Sequence, residues 1–190
     1  PNGVFWATWQ PTDEQKGLDP DGRLINKAIA DALVEQLQSG PDGTIKAVTK
    51  SKKKDAQRLP LSLSSLQVLA GKAFSYDPQT VLDTAQKLYE KKLTTYPRSD
   101  CEYLPPNQYD DRNAILNNLQ NAGDERLAQW AADADRSIKS RAWNEKKITA
   151  HHAIIPTTVA CNINSLSQEE RNIYFLISQA YIAQFYGEHI

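Results

Sequence analysis

Apolar residues recur at helical spacing along most of the chain, and several of these runs are bounded by residues that start or stop helices. Between Leu24 and Leu37 the apolar positions fall every three or four residues, and Ser39-Gly40 ends the run. Another run follows Asp77-Pro78, which combines an N-cap residue with a proline at the first helical position. Because residues at these intervals share one face of a helix, the pattern predicts amphipathic α-helices.

The helical pattern becomes continuous in the second part of the chain. Ser167 and Glu170 form a capping box for the last helix, and Gly187 is its natural stop. The predicted helices in this part cover residues 62–72, 78–91, 108–121, 124–132 and 168–186.

Two short segments near the start of the chain predict strands instead. Residues 5–9 have an alternating pattern compatible with a strand. Residues 44–49 follow the turn signal Pro41-Asp42-Gly43. Near Leu59-Pro60 a charged, extended segment gives way to helical periodicity, which predicts a domain boundary there. The predicted fold class is therefore mainly α with a small α+β part.

The composition narrows the class of protein. A chain of 190 residues can bury a real core. It contains no apolar run as long as a membrane span and opens with no signal peptide, so we expect a cytoplasmic protein without a membrane partner. Cys101 and Cys161 are too few and too isolated for a disulfide framework or a metal site. Because the chain starts at Pro1 and contains no Met, we expect it to be a piece of a longer protein.

The formal net charge is −1, but the basic residues are unevenly distributed. Residues 46–58 hold six basic side chains against Asp55, and residues 87–98 hold four against Glu90. Such runs are as typical of a solvated loop as of a surface that binds phosphates.

The candidate chemistry lies in residues 93–100, which read LTTYPRSD. Pro97 prevents a helix from continuing and favours an extended backbone at Tyr96. Arg98 is two residues further on, so in an extended segment both side chains leave the backbone on the same side. A tyrosyl oxygen can hold a phosphoryl group covalently, and a guanidinium binds phosphate oxygens with its planar fork. The pattern indicates a nucleophile beside a phosphate clamp, although an isolated Tyr-Pro-Arg is more often a packed tyrosine with a surface arginine.

Three segments together resemble the type IA DNA topoisomerases, and specifically their topoisomerase III branch. They are residues 93–100, residues 59–67 (LPLSLSSLQ) and residues 149–157 (TAHHAIIPT), and they occur in the order seen in that family. The resemblance implies the type IA fold. Its domains would divide this chain into part of a β-containing gate domain, a helical domain with the active-site tyrosine and the start of a return into the first domain, at residues 1–59, 60–186 and 187–190.

The resemblance also implies a function and a site. Tyr96 would break one strand of single-stranded DNA and keep the 5′ phosphate as a phosphotyrosine, so that another strand passes and the break is resealed without ATP. Arg98 would stabilise charge on the scissile phosphate, and His151 would bind a phosphate oxygen nearby. Both His151 and His152 could instead be bonded to a nearby carbonyl, which is the favoured role for His152. The remaining candidates, which shape the loop or bind DNA, are Thr95, Asp100, Ser64, Gln67 and Lys92.

In this family Mg²⁺ is held by acidic residues of a toprim domain, and these residues have no counterpart in this sequence. We therefore expect no metal site here, Mg²⁺ to be bound by the rest of the parent polypeptide, and the chain alone to be inactive.

Two other functions are compatible with parts of the pattern. The helices predicted around residues 64–71 and 78–91 have the spacing of a helix-turn-helix, which would bind duplex DNA without catalysis. A tyrosine recombinase or a relaxase would also use a tyrosine. Those enzymes need several arginines or three metal-binding histidines around it, and neither set is evident.

Overall fold

A computed structural model describes residues 6–12, 14–40, 44, 47–51, 53–148 and 150–187. The chain divides into two compact units, residues 1–51 and 52–190. Within the described ranges, no helix combines the length and the apolar character needed to cross a membrane.

The first unit contains helix α1, Lys27–Gln38. The helix begins three residues after the start of the apolar run because the Asn26 side chain accepts a hydrogen bond from the Ile29 backbone N–H and caps the first turn. No residue of α1 is buried. An isolated antiparallel bridge between Leu18 and Leu24 closes the turn that precedes the helix.

The predicted strands are wrong where the structure describes them. Residues 6–9, residue 44 and residues 47–49 are in no strand. Residue 5, the turn at 41–43 and residues 45–46 lie outside the described residues. Alternation describes only one chain segment, whereas a strand also needs a neighbour to complete its hydrogen bonds. In the described part of the chain, β pairing is limited to isolated bridges.

The described part of the second unit contains five α-helices, and the positions predicted for them are largely confirmed. They are α2 Leu63–Phe74, α3 Pro78–Glu90, α4 Arg112–Gln120, α5 Glu125–Asp133 and α6 Gln168–Ile182. Among the same described residues, four 3₁₀ turns accompany the helices, at Pro106–Tyr109, Glu145–Lys147, Ile163–Ser165 and Ala183–Phe185. The capping box of α6 and the proline start of α3 are both present as predicted.

One predicted helix is wrong in its first turn. Residues 106–109 form a separate 3₁₀ turn, and α4 starts only at Arg112. The Tyr109 hydroxyl donates to the carbonyl of Arg136 at 2.9 Å, and the Arg112 guanidinium donates to the Tyr109 carbonyl. The bond to the distant Arg136 holds the chain in the tighter turn, and helical periodicity does not report it.

Helix α6 lies at the centre of the second unit, where it packs against α2, α3 and α5. Its buried face includes Ile173, Tyr174, Ile177 and Tyr181, each at most 1% exposed. This core fixes α3, and with it the loop that follows α3.

Candidate functional site

The loop containing Tyr96 starts at a helix end with an unusual residue. Helix α3 is closed by two hydrogen bonds, from the Lys92 N–H to the Tyr89 carbonyl at 2.8 Å and from the Leu93 N–H to the Leu88 carbonyl at 3.0 Å. This is a Schellman motif, whose left-handed position is usually a glycine. Here the position is occupied by Lys92, with φ of 60°. Leu88 and Leu93 are both buried, as the hydrophobic contact of that motif requires.

The loop is then fastened to a second segment, residues 153–157. The Thr95 N–H donates to the Ile155 carbonyl at 2.9 Å, and the Ile155 N–H donates to Thr95 Oγ1 at 3.0 Å. Thr95 Oγ1 itself donates to the Ala153 carbonyl. Thr94 and Pro156 form an antiparallel bridge beside these bonds. Thr95 therefore joins the loop of Tyr96 to the segment that directly follows His151 and His152.

Tyr96 lies between two aromatic rings. The His151 ring stacks on it with centroids 4.8 Å apart and an interplanar angle of 28°. The Tyr89 ring meets it edge-on, at 5.6 Å and 81°. Tyr96 is half-buried and His151 is exposed. Of the three predicted catalytic residues, the structure thus brings Tyr96 and His151 into contact.

The hydroxyl groups of the eight tyrosines differ in their availability. Tyr174 and Tyr181 are buried in the core, and burial raises the pKa of both phenols. Hydrogen bonds to other parts of the second unit engage the hydroxyls of Tyr76, Tyr103, Tyr109 and Tyr186. The hydroxyls of Tyr89 and Tyr96 have no such partner among the described residues. The oxygen of an accessible phenol that is not engaged in another hydrogen bond can approach a substrate, although a base must still take its proton during attack.

Arg98 lines a different cleft from Tyr96. Tyr96 lies in a cleft of about 540 Å³ together with Tyr89, Lys92 and His152. Arg98 lies in one of about 300 Å³ together with Ser64, Gln67 and Asp100. The chain bends at residues 97–98, so the rule that alternate side chains of an extended segment share one side does not apply here.

The second cleft is attached to the tyrosine loop through helix α2. The Leu63 N–H donates to the Ser99 carbonyl at 2.8 Å, which ties the first turn of α2 to the residue after Arg98. Ser64 lies exposed in that turn. Gln67 is engaged structurally, because its side-chain amide donates to the Pro78 carbonyl at 2.9 Å. Arg98 is exposed, and its guanidinium has no hydrogen-bond or ion-pair partner in the described part of the chain.

His152 has the structural role that was favoured for it. Its Nδ1 is 2.9 Å from the Ala153 carbonyl oxygen, and its Nε2 is 3.0 Å from the side-chain amide nitrogen of Gln108. An amide nitrogen only donates, so Nε2 accepts and Nδ1–H donates to the carbonyl. His152 is therefore a half-buried side chain held by two hydrogen bonds, whereas His151 is exposed to solvent.

The described residues offer no evident site for a metal ion. No group of three or more His, Cys, Asp or Glu side chains among them is arranged to bind one. Near the tyrosine loop, the Glu90 carboxylate accepts a hydrogen bond from the Gln86 amide, and Glu170 is paired with Lys91. Both carboxylates near the tyrosine loop are thus already engaged by other side chains.

One contact near the site was not foreseen from the sequence. Lys91, the last residue before Lys92, donates to both carboxylate oxygens of Glu170 at 2.7 and 2.8 Å. Glu170 also caps α6, so one side chain joins the start of α6 to the end of α3. Its capping role was readable from local spacing, but its partner is 79 residues away in the sequence.

Sequence comparisons identify the family to which the chain belongs. The profile of a family described as DNA topoisomerase matches residues 5–190, and the chain belongs to that family. Similar proteins include the DNA topoisomerase 3 of Vibrio cholerae, 41% identical over 95% of this chain, and that of Haemophilus influenzae, 41% identical over 96%. The DNA topoisomerase 3 of Salmonella typhimurium is 38% identical over 95% of this chain. The chain spans 28% of the length of each of these relatives.

Proposed function

We propose that this chain carries the DNA-cleaving tyrosine of a type IA topoisomerase and acts as part of a longer polypeptide. The Tyr96 oxygen attacks a phosphodiester of single-stranded DNA, a Tyr96 O–P bond forms and the bond from phosphorus to the 3′ oxygen breaks. The products are a 5′-phosphotyrosine and a free 3′ hydroxyl. Attack by that hydroxyl reverses the step, so the strand is resealed without ATP after another strand has passed.

The observation that carries this proposal is the stack of Tyr96 on His151, held in place by the hydrogen bonds of Thr95. An aromatic neighbour on each side restricts the Tyr96 ring, so its hydroxyl group is presented in one direction. Such preorganisation lowers the entropy that must be lost before attack.

His151 and Arg98 have separate tasks in this proposal. His151 donates a hydrogen bond to an oxygen of the scissile phosphate, because its ring already lies against the nucleophile. Arg98 lies beyond the bend in the neighbouring cleft, from which a bidentate fork reaches phosphate oxygens. The strand then crosses the tyrosine loop from one cleft to the other.

The metal and the rest of the site belong to other parts of the longer polypeptide in this proposal. The acidic side chains that hold Mg²⁺ are supplied there, since the described residues contain no three-membered cluster of metal ligands. The phenolic proton of Tyr96 leaves to a base or water that the same parts position. The 190 residues alone bind DNA weakly and do not cleave it.

The helix-turn-helix alternative has less support. Helices α2 and α3 are joined by only three residues, but α3 buries Val81, Ala85 and Leu88 in the core. Its outward residues include Asp83 and Glu90, whose carboxylates would face the phosphates of a duplex. Nor does this alternative give the paired rings of Tyr96 and His151 a role.

The test is a comparison of two neighbouring tyrosines in the full-length protein. Tyr96→Phe removes only the hydroxyl oxygen and should abolish the covalent adduct with end-labelled single-stranded DNA, while binding of that DNA survives. Tyr89→Phe is the matched control, because it removes the other unpartnered hydroxyl in the same cleft, and adduct should still form. Transfer of label to the Tyr96→Phe protein would show that another group is the nucleophile.

A further inference from the structure

Two non-glycine residues in the described part of the chain have a positive φ, Ser75 at 59° and Lys92 at 60°. An L-residue in this conformation brings its Cβ close to the following carbonyl oxygen, a strain that glycine avoids. Both residues follow the end of a helix, where glycine is the usual choice. Where glycine would avoid the strain but another residue is present, the side chain of that residue is a candidate for a functional role.

The backbone of Lys92 has no freedom to relax this strain. Its N–H donates to the Tyr89 carbonyl, and its own carbonyl accepts a hydrogen bond from Thr157 Oγ1. The conformation is thus imposed from both sides, by α3 and by the segment that follows His151. Because glycine would satisfy the same hydrogen bonds, the fold itself gives no reason for a lysine here.

The Lys92 side chain is available, in contrast with its neighbour. Lys91 is bound to the Glu170 carboxylate. Lys92 is exposed, lines the cleft of Tyr96 and has no ion pair among the described residues. The acidic side chain of that cleft, Glu90, already accepts a hydrogen bond from Gln86.

We propose that Lys92 binds a DNA phosphate adjacent to the scissile one, on the Tyr96 side of the loop. This inference rests on the proposed function. Arg98 lies in the cleft on the other side of the bend, so a strand passing Tyr96 meets a cation in each cleft. The ammonium group acts as a point charge on the flanking phosphate and fixes the strand in register over the nucleophile.

Because Ser75 has the same strained conformation as Lys92, its replacement by glycine is a matched control for this proposal. Lys92→Gly and Ser75→Gly relieve the same backbone conformation, but Ser75 lies at the end of α2 and does not line the cleft of Tyr96. Lys92→Arg retains the cation together with the strain. The three variants therefore separate the effect of charge from the effect of backbone relief.

The readout is the salt dependence of binding to end-labelled oligothymidine, measured in the full-length protein with Tyr96→Phe so that no cleavage occurs. Each phosphate contact contributes about 0.7 to the slope of log K against log salt for single strands. Lys92→Gly should lower the slope by about that amount and weaken binding roughly threefold. Ser75→Gly and Lys92→Arg should leave the slope unchanged.

An unchanged slope in folded Lys92→Gly would overturn the proposal. So would an equal loss in Ser75→Gly, since that would trace the effect to the backbone. Adduct formation by the protein with Tyr96 intact is assayed in parallel. If the protein with Tyr96 forms the adduct but Lys92→Gly leaves the slope unchanged, only the role of Lys92 is refuted. If the protein with Tyr96 forms no adduct, the proposed function itself is refuted.

Discussion

Helices α1 and α3 are predicted by the same kind of pattern, yet the burial of their apolar faces differs. In the first unit α1 has no buried residue, and Val34 and Leu37 are 52% and 63% exposed. In the second unit α3 buries Val81 and Leu88 completely. Periodicity identifies the residues that share a face, but it does not say whether anything covers that face.

The difference arises from the number of partners within each unit. Helix α3 packs against α2 and α6, whereas α1 is the only helix in the described part of the first unit. Apolar area stabilises a fold by about 25 cal/mol per Å² only when it is removed from water. The tyrosine loop follows α3, whose apolar face is buried, so the first residues of the loop are fixed in position by the core.

The largest expected effect comes from a truncation in the covered helix. Leu88→Ala removes a fully buried side chain that also packs in the motif at the end of α3, and it should lower the free energy of unfolding by about 3 kcal/mol. Urea denaturation of the 190-residue chain, followed by tryptophan fluorescence, measures this loss. A cost below about 1 kcal/mol would mean that the core around α3 is loosely packed.

The second effect separates an ion pair whose carboxylate is buried from one in which both side chains are exposed. Burial alone raises the pKa of the Glu170 carboxyl, but hydrogen bonds from Lys91 and the Ser167 backbone outweigh it and leave that pKa below its ordinary value. A lowered folded pKa adds stability above the unfolded pKa of about 4.3, and this is lost as pH falls through the folded value. Glu170→Gln should therefore cost about 1–2 kcal/mol near neutral pH and much less in acid.

Urea midpoints at about pH 7 and at a series of increasingly acid pH values measure this difference, since the stabilisation is lost as pH falls. The matched variant is Asp31→Asn in α1. Asp31 is paired with Lys27 at 2.6 Å, but both side chains are mostly exposed. That variant should have no measurable effect at any of these pH values. An equal pH response in the two variants would refute the distinction between the units.

Local signals explain what the sequence predicts correctly. The N-cap of α3 and the capping box of α6 use residues within three positions of each other, and both are found in the structure. Helix α3 ends at Glu90 with Lys91 as its C-cap, one residue before the predicted end. The failed strands depended on pairing with other segments, and the first turn of residues 108–121 depended on a hydrogen bond to Arg136.

The candidate site likewise has some features that the sequence predicts and others that only the folded chain shows. Its residue types and loop position were readable from the sequence, but its geometry depends on contacts across large separations. The bonds of Thr95 to Ala153 and Ile155 span 58 and 60 positions. Placement of Arg98 beyond a bend, and of Tyr89 on the edge of the Tyr96 ring, also requires the folded chain.

The smallest effect concerns the uncovered helix. Leu37→Ala deletes the same atoms as Leu88→Ala, but the side chain is 63% exposed and alanine is the better helix former. We expect a change within about 0.5 kcal/mol, of either sign. Because α1 lies in the first compact unit and the core helices lie in the second, amide hydrogen exchange of α1 measures this local effect more directly than a global transition. A loss as large as that of Leu88→Ala would place the apolar face of α1 out of water in solution, and the contrast between the two units would no longer hold.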